Sequence, residues 1–242
     1  MEQKRIDFYA ETFRVFDWEA DANRHMTPGA ILRRAQQIAT DHCDSLGMDA
    51  AFYAGTHTAF LMAKLAMECY RPMTTGQTLR LETRPFSPVR AVFHRLCDFI
   101  DEQGELCCTV DSRWVLVNAD THRILRQPIE GMRLPTDLPP QRALDIAIRK
   151  APAQKVGAVR AGYTYCDVNG HMNNTRYADA VCDAVPAETL LARGVRRLAV
   201  AYHNELALGE EMDLLRAEVQ DDWYIAGESE GKKRFEAQLT LG

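Results

Sequence analysis

The sequence predicts an α+β protein built from two copies of one unit, each a long central helix wrapped by a curved antiparallel sheet. Three observations predict it. The hexapeptide Asp21-Ala22-Asn23-Arg24-His25-Met26 returns as Asp167-Val168-Asn169-Gly170-His171-Met172, an offset of 146 (167 − 21). Each copy follows a strand-like segment and precedes a helix-like one. Each helix-like segment is followed by four strand-like runs. A sheet curled over a helix is the simplest way for both elements to bury their apolar faces.

In the first unit, residues 6–20 carry Phe8, Phe13, Val15, Phe16 and Trp18 on an extended segment. Thr27 is a suitable N-cap and Pro28 fits the first helical position. Ile31, Leu32, Ala35, Ile38, Ala39 and His42 recur at helical spacing, and Gly47 marks the stop. Ala59, Leu61, Ala63, Leu65, Met67 and Cys69 alternate as one face of a strand. Strands at 78–84, 92–100 and 106–117 follow, divided by the turn signals Thr75-Gly76 and Glu102-Gln103-Gly104.

The second unit repeats the plan. Residues 156–166 form the first strand, with Val159, Tyr163 and Tyr165. Asn173 or Asn174 caps a helix whose stripe is Tyr177, Ala178, Val181, Ala184 and Val185, ended by Pro186. Strands at 197–205, 212–219, 223–227 and 234–240 complete it. Between the units, 126–154 holds five of the ten prolines and reads as a connector, with a short helical piece at 143–148. The predicted division is therefore 1–125, 126–154 and 155–242. Edge-to-edge pairing of the two sheets hides strand edges and leaves a cleft where the units meet.

Composition excludes several classes. With 46% apolar and 26% charged residues in 242, the chain has the balance of a soluble globular protein. A net charge of −5 argues against a basic nucleic-acid binder. No apolar run is long enough to span a bilayer, and the N-terminus lacks a secretory signal, so the expected location is cytoplasmic, with no membrane partner. Seven cysteines without a Cys-x-x-Cys pair predict reduced, packed thiols rather than a zinc ribbon or a disulfide framework.

The repeated loop carries chemistry-bearing residues. Asp167-x-Asn169-x-His171 lies between a strand end and a helix start, where first-turn N–H groups are unsatisfied and can hold a developing oxyanion. A histidine there titrates near neutral pH and can serve as general acid or base. The competing reading is that Asp and Asn only cap the helix or form a turn. Glu205, at the end of a predicted strand, shares a face with Ala199, Ala201 and His203. It is either a carboxylate in want of a partner on a packed face or a solvated residue past the strand end. A Ser-His-Asp arrangement is unsupported, because there is no Gly-x-Ser-x-Gly. Cys166 reads as a packed thiol. His25, His42, His171 and His203 show no metal-ligand spacing, so no metal is expected.

The run from Asp167 to Tyr177 resembles the signature of acyl-acyl carrier protein thioesterases. Three further segments resemble that family: Ala35 to His42 with Gly47, Ser112-Arg113-Trp114-Val115-Leu116-Val117, and Tyr202-His203-Asn204-Glu205. The resemblance covers roughly residues 6–240 and implies a double hotdog fold. It implies hydrolysis of the thioester between a fatty acyl group and carrier-protein phosphopantetheine, with no cofactor. By motif, the family's catalytic residues fall on Asp167, Asn169, His171 and Glu205. The thioester carbonyl is expected at the N–H groups near Asn173 and Asn174. Phe60, Leu61 and Met62, with the first helix, are candidate walls of an acyl tunnel. Plant members carry a Cys after the Glu, where this chain has Leu206. That departure favours water attack assisted by Glu205 and His171, or a carboxylate-led route. A complete second set, Asp21, Asn23 and His25, stands in the repeat that in the family serves the acyl chain. The expected partner is an acidic acyl carrier protein, met by Arg149, Lys150 and Lys155 or by Arg193, Arg196 and Arg197, on a monomer or homodimer. The alternatives are an acyl-CoA thioesterase on the same fold, a non-catalytic acyl-thioester-binding protein and, less favoured, a dehydratase.

Overall fold

The computed structural model describes residues 5–136 and 143–242. The elements are β1 (Tyr9–Arg14), α1 (Pro28–Ser45), α2 (Ala50–Thr56), β2 (Thr58–Cys69), β3 (Thr78–Pro85), β4 (Val92–Ile100), β5 (Leu106–Asn118), β6 (Gln154–Arg160), α3 (Arg176–Asp183), α4 (Ala187–Arg193), β7 (Val195–Tyr202), β8 (Glu211–Val219), β9 (Asp222–Ser229) and β10 (Lys232–Leu241). Among the described residues the ten strands join in one antiparallel sheet, in the order β1-β3-β4-β5-β2-β7-β10-β9-β8-β6. The order is symmetric about its middle: β1-β3-β4-β5-β2 read from one edge has the same plan as β6-β8-β9-β10-β7 read from the other. The two halves meet at β2 and β7, where Leu65 lies opposite Val200 and Met67 opposite Leu198. No helix among the described residues is long and apolar enough to cross a membrane.

Helix α1 forms where the spacing predicts it. Thr27 caps it by accepting the Ala30 N–H, Pro28 begins it, and Ile31, Leu32, Ala35, Ile38 and His42 are buried. Its C-terminal half is followed by α2, which the spacing did not predict. The second helix departs further. Pro186 lacks an N–H and cannot continue α3, so the second central helix breaks into α3 and α4. Its N-cap is Thr175 rather than either asparagine, although the Asn173 side chain accepts the Thr175 N–H at 3.0 Å. The two helices approach closely at Gly29, where an added Cβ would lie 1.7 Å from Asp179 Oδ1. Asp179 there pairs with Arg33 at 2.8 Å.

The first predicted strand stops early. After β1 the chain turns at Phe16, because Glu19 is buried against Arg34 in a two-pronged ion pair of 2.7 and 3.0 Å. The strand predicted at 197–205 likewise ends at Tyr202, which puts Glu205 in the turn beyond it. Ala199 and Ala201 do not face the helices. Leu198 and Val200 do, within a core shared with Leu65, Met67, Ala237 and Leu239.

The alanine face is instead crossed by the connector, and 143–148 is not helical. A backbone strap with no strand partner needs side chains to satisfy its polar groups. Asp111 accepts the Leu144 N–H at 2.7 Å, Arg113 donates to the Leu144 carbonyl at 3.1 Å, and Gln238 accepts the Arg149 N–H at 2.9 Å. Asp111 is fully buried and also holds His94 at 2.5 Å.

Nearby, buried Glu236 accepts from Tyr224, Lys233, Lys150 and His203. Burial pushes its carboxyl up, but hydrogen bonds from Lys233, Tyr224, Lys150 and His203 outweigh it and bring it from 4.5 to about 2. A depressed carboxylate stabilises the fold fully above its unfolded value and loses that contribution as the pH falls through the folded one. Acid unfolding should therefore steepen between pH 4.5 and about 2 in the wild type. In Glu236→Gln that part of the stability-pH curve should flatten, as read by thermal midpoints across the range.

Candidate functional site

The residues after β6 form a tight loop that the sequence itself closes. Asp167 Oδ1 accepts the Asn169 N–H at 2.9 Å, and Oδ2 accepts the Asn173 side-chain amide at 3.0 Å. Gly170 takes a left-handed φ of 75°, which glycine adopts without strain. The loop is stitched to the turn after β7: Met172 N–H donates to the Leu206 carbonyl at 2.8 Å, and Leu208 N–H to the Gly170 carbonyl at 2.9 Å. His171 and Ala207 thereby lie side by side.

This stitching brings two distant residues together. Glu205 Oε2 lies 3.2 Å from His171 Nδ1, with side chains 42% and 33% exposed. Glu205 is thus past its strand end, yet partnered. The Asn169 side-chain amide has no partner among the described residues and is exposed. Asp167 acts as a brace within the loop. The two asparagines at the helix start separate. Asn173 is occupied: its N–H donates to the Tyr165 carbonyl at 2.9 Å, and its side chain bonds Asp167 and Thr175. The Asn174 N–H has no partner among the described residues, while its carbonyl accepts the Tyr202 hydroxyl at 2.9 Å. Burial raises the Tyr202 phenol far above its usual range and pushes Tyr177 up to about 12, so both remain neutral hydroxyls.

The site thus combines a histidine oriented by a carboxylate, a free amide side chain and a free backbone N–H at a helix start. Such a set can activate water and hold an oxyanion. Leu206, by contrast, points into the core and is 0% exposed. A side chain at that position lies away from the imidazole.

Family models match two long stretches of the chain. The model for the acyl-ACP thioesterase N-terminal domain matches residues 7–132, and that for the C-terminal domain matches 150–241. The chain belongs to the acyl-ACP thioesterase family. The chain is 24% identical to the chloroplastic oleoyl-acyl carrier protein thioesterase 2 of Arabidopsis thaliana, over 86% of this chain and 62% of that protein. It is 23% identical to a chloroplastic acyl-[acyl-carrier-protein] hydrolase of Cuphea viscosissima, over 85% of this chain and 53% of that one. It therefore spans somewhat over half the length of these relatives. Its fold is that of an acyl-ACP thioesterase from Bacteroides thetaiotaomicron (TM-score 0.84, 20% identity, 97% of this chain and 98% of the other). The 12:0-ACP thioesterase of Umbellularia californica shares it too (TM-score 0.86, 18% identity, 97% of each chain).

Within this family chain, the first repeat's loop is built like the second. Asp21 Oδ1 accepts the Asn23 and His25 N–H groups at 2.9 and 3.0 Å. Met26 N–H donates to Met73 at 2.8 Å and Thr75 N–H to Arg24 at 3.0 Å, mirroring Met172–Leu206 and Leu208–Gly170. These matches align the two turns at an offset of 133 (206 − 73), which sets Pro72 where Glu205 stands. The His25 ring accordingly has no partner among the described residues. The Asn23 amide is spent on the Leu191 carbonyl of α4 at 2.6 Å. The loop is duplicated, but the carboxylate is not.

The predicted acyl wall is split by the pleat. Phe60 stacks edge-on to Phe93 at 4.9 Å and to Tyr53 of α2 at 6.0 Å. Met62 pairs with Trp114 on the same face. Leu61 alternates to the opposite face and does not join that wall. Two cavities, of about 340 and 350 Å³, lie elsewhere, between the edge strand β6 and the α3–α4 break. Neither is lined by His171 or Glu205, but Tyr165 lines one, and its carbonyl holds Asn173. Most of the basic residues expected to meet a partner are engaged internally: Lys150 with Glu236, Lys155 with Asp213, Arg149 with Gln220, Arg193 with the Gly242 carbonyl and Arg197 with the Asp145 carbonyl. Arg196 alone of the six is exposed without a partner among the described residues.

Proposed function

We propose that this chain hydrolyses fatty acyl-acyl carrier protein to free fatty acid and carrier protein, using the second repeat. The observation that carries the reading is the 3.2 Å approach of Glu205 to His171, in the one repeat whose turn holds a carboxylate. Family membership supplies the substrate class.

In this mechanism the His171 Nδ1–H donates a hydrogen bond to the Glu205 carboxylate, which fixes the tautomer and leaves Nε2 as the base. Water attacks the thioester carbon and its proton passes to Nε2. The carbonyl oxygen becomes an oxyanion facing the Asn174 N–H, with Asn169 positioning the carbonyl or the water. As the tetrahedral intermediate collapses, the C–S bond breaks and Nε2 returns the proton to the leaving thiolate. Asp167 and Asn173 keep the loop in shape. Phe60 and Met62, with Phe93 and Trp114, form an acyl wall in this reading, where each buried methylene contributes ~0.8 kcal/mol to chain selection. We read the fold as a double hotdog, with an N-terminal repeat at 1–125, a connector at 126–154 and a C-terminal repeat at 155–242. One chain supplies both units, so a monomer suffices. Seven free thiols fit a reducing, cytoplasmic setting.

Thiol release from one acyl chain carried on acyl carrier protein and on CoA tests the substrate. The expected result is a higher kcat/KM on the carrier-protein thioester across a chain-length panel. A preference for CoA would move the assignment to an acyl-CoA thioesterase, and binding without turnover on either would end the hydrolase reading.

A further inference from the structure

Resting on that reading of the Glu205–His171 pair, we infer that Arg234, together with Glu210, is a positioning residue that holds Glu205 in register with His171. Arg234 lies on β10 and is 8% exposed. Its Nη1 donates to the Glu205 carbonyl, and its Nη2 pairs with Glu210 Oε2 at 3.2 Å. Glu210 Oε2 also accepts the Ala207 N–H at 3.0 Å. Ala207 is the residue that lies beside His171. One planar guanidinium thus ties the backbone of the base-orienting residue to the turn that carries the histidine's neighbour.

The duplication separates this role from ordinary folding. In the second half, the Arg234 carbonyl accepts the His203 and Asn204 N–H groups at 2.9 and 3.2 Å; in the first, the Cys107 carbonyl accepts those of Tyr70 and Arg71 at 2.8 and 3.2 Å. Cys107 is therefore the counterpart of Arg234. Gln77 is the counterpart of Glu210, and its Oε1 accepts the Thr74 N–H at 3.1 Å just as Glu210 accepts that of Ala207. The same turn forms in the first half with a cysteine, a glutamine and Pro72. The half with Glu205 has an arginine and a second glutamate in their places. The arginine is retained there although its buried Nε has no hydrogen-bond partner, an arrangement that folding of the turn does not require. These two changes, the arginine and the second glutamate, occur in the half whose Glu205 partners His171, which points to the pair as their purpose.

The experiment is a double-mutant cycle on the full chain, reading kcat and KM for release of carrier-protein thiol, with thermal midpoints as the folding check. Arg234→Met is expected to lower kcat about 10- to 100-fold with KM changed less than about threefold. In a Glu205→Gln background the same substitution should change the residual kcat by less than about threefold, because the carboxylate it positions is gone. Glu210→Gln, which recreates the first-half turn and keeps the Ala207 cap, should show a smaller loss in the same direction without loss of folding. Equal losses in both backgrounds, or no loss from Arg234→Met in the otherwise native chain, would overturn the inference while leaving the hydrolase reading in place. A wild-type kcat for Glu205→Gln would remove the reading of the pair itself.

Discussion

Glu205→Gln is expected to lower kcat for thioester hydrolysis by roughly 10²–10⁴-fold, the usual worth of a positioned acid–base group. The amide keeps the shape and can still contact His171 Nδ1 across the 3.2 Å gap, but it carries no charge to stabilise the imidazolium that forms as water is deprotonated. His171→Ala should fall in the same range, and the double variant should be little worse than either alone, because the two act as a unit. KM should change little, since neither group is placed against the acyl chain. Stopped-time assays of free thiol with each variant check this, and additive losses would mean that the two residues act separately.

The second large effect is on stability. Leu206 is 0% exposed and adjoins Glu205, and its carbonyl accepts the Met172 N–H at 2.8 Å. Leu206→Ala removes three buried carbon atoms from a packed site and should cost ~2–5 kcal/mol. For a chain of this size that corresponds to a fall in Tm of roughly 4–20 °C by calorimetry. Leu206→Cys should be milder and should not create a nucleophile, because the side chain there faces the core and not the substrate. A gain of activity in Leu206→Cys that a thiol-alkylating reagent abolishes would contradict this placement.

The duplication was legible because it lives in short-range signals. The repeated Asp-x-Asn-x-His, the cap at Thr27 and the alternation of Phe235, Ala237 and Leu239 each act through neighbours in sequence. Long-range choices were not. Nothing local says that Ala199 and Ala201 face a strap, because Asp111 and Gln238, which hold it, are far away in the chain. The predicted helix at 143–148 does not form for the same reason: strand side chains claim the Leu144 amide (Asp111), the Leu144 carbonyl (Arg113) and the Asp145 carbonyl (Arg197). Pro186 ends α3, as its place after the stripe predicts, but the chain resumes as α4 against Asn23. At the site, the loop residues are visible as a motif, and Glu205 stands out as a strand-end carboxylate whose partner the pattern leaves open and to which the family resemblance gives a role. Arg234 and Glu210 were missed, since their meaning appears only when the two turns are superposed and Cys107 and Gln77 are found in their places. Leu61 was misplaced on the acyl wall because Phe60 and Met62 lie on either side of it on one pleat face.

If catalysis belongs to one repeat alone, the two equivalent histidines must differ. Single-turnover release of thiol from acyl-acyl carrier protein by His25→Ala and by His171→Ala compares them in the same loop geometry. His25→Ala should run at the wild-type rate, and His171→Ala should be slower by at least about a hundredfold. Comparable losses from both substitutions, or a wild-type rate for His171→Ala, would show that the imidazole paired with Glu205 does not perform the hydrolysis.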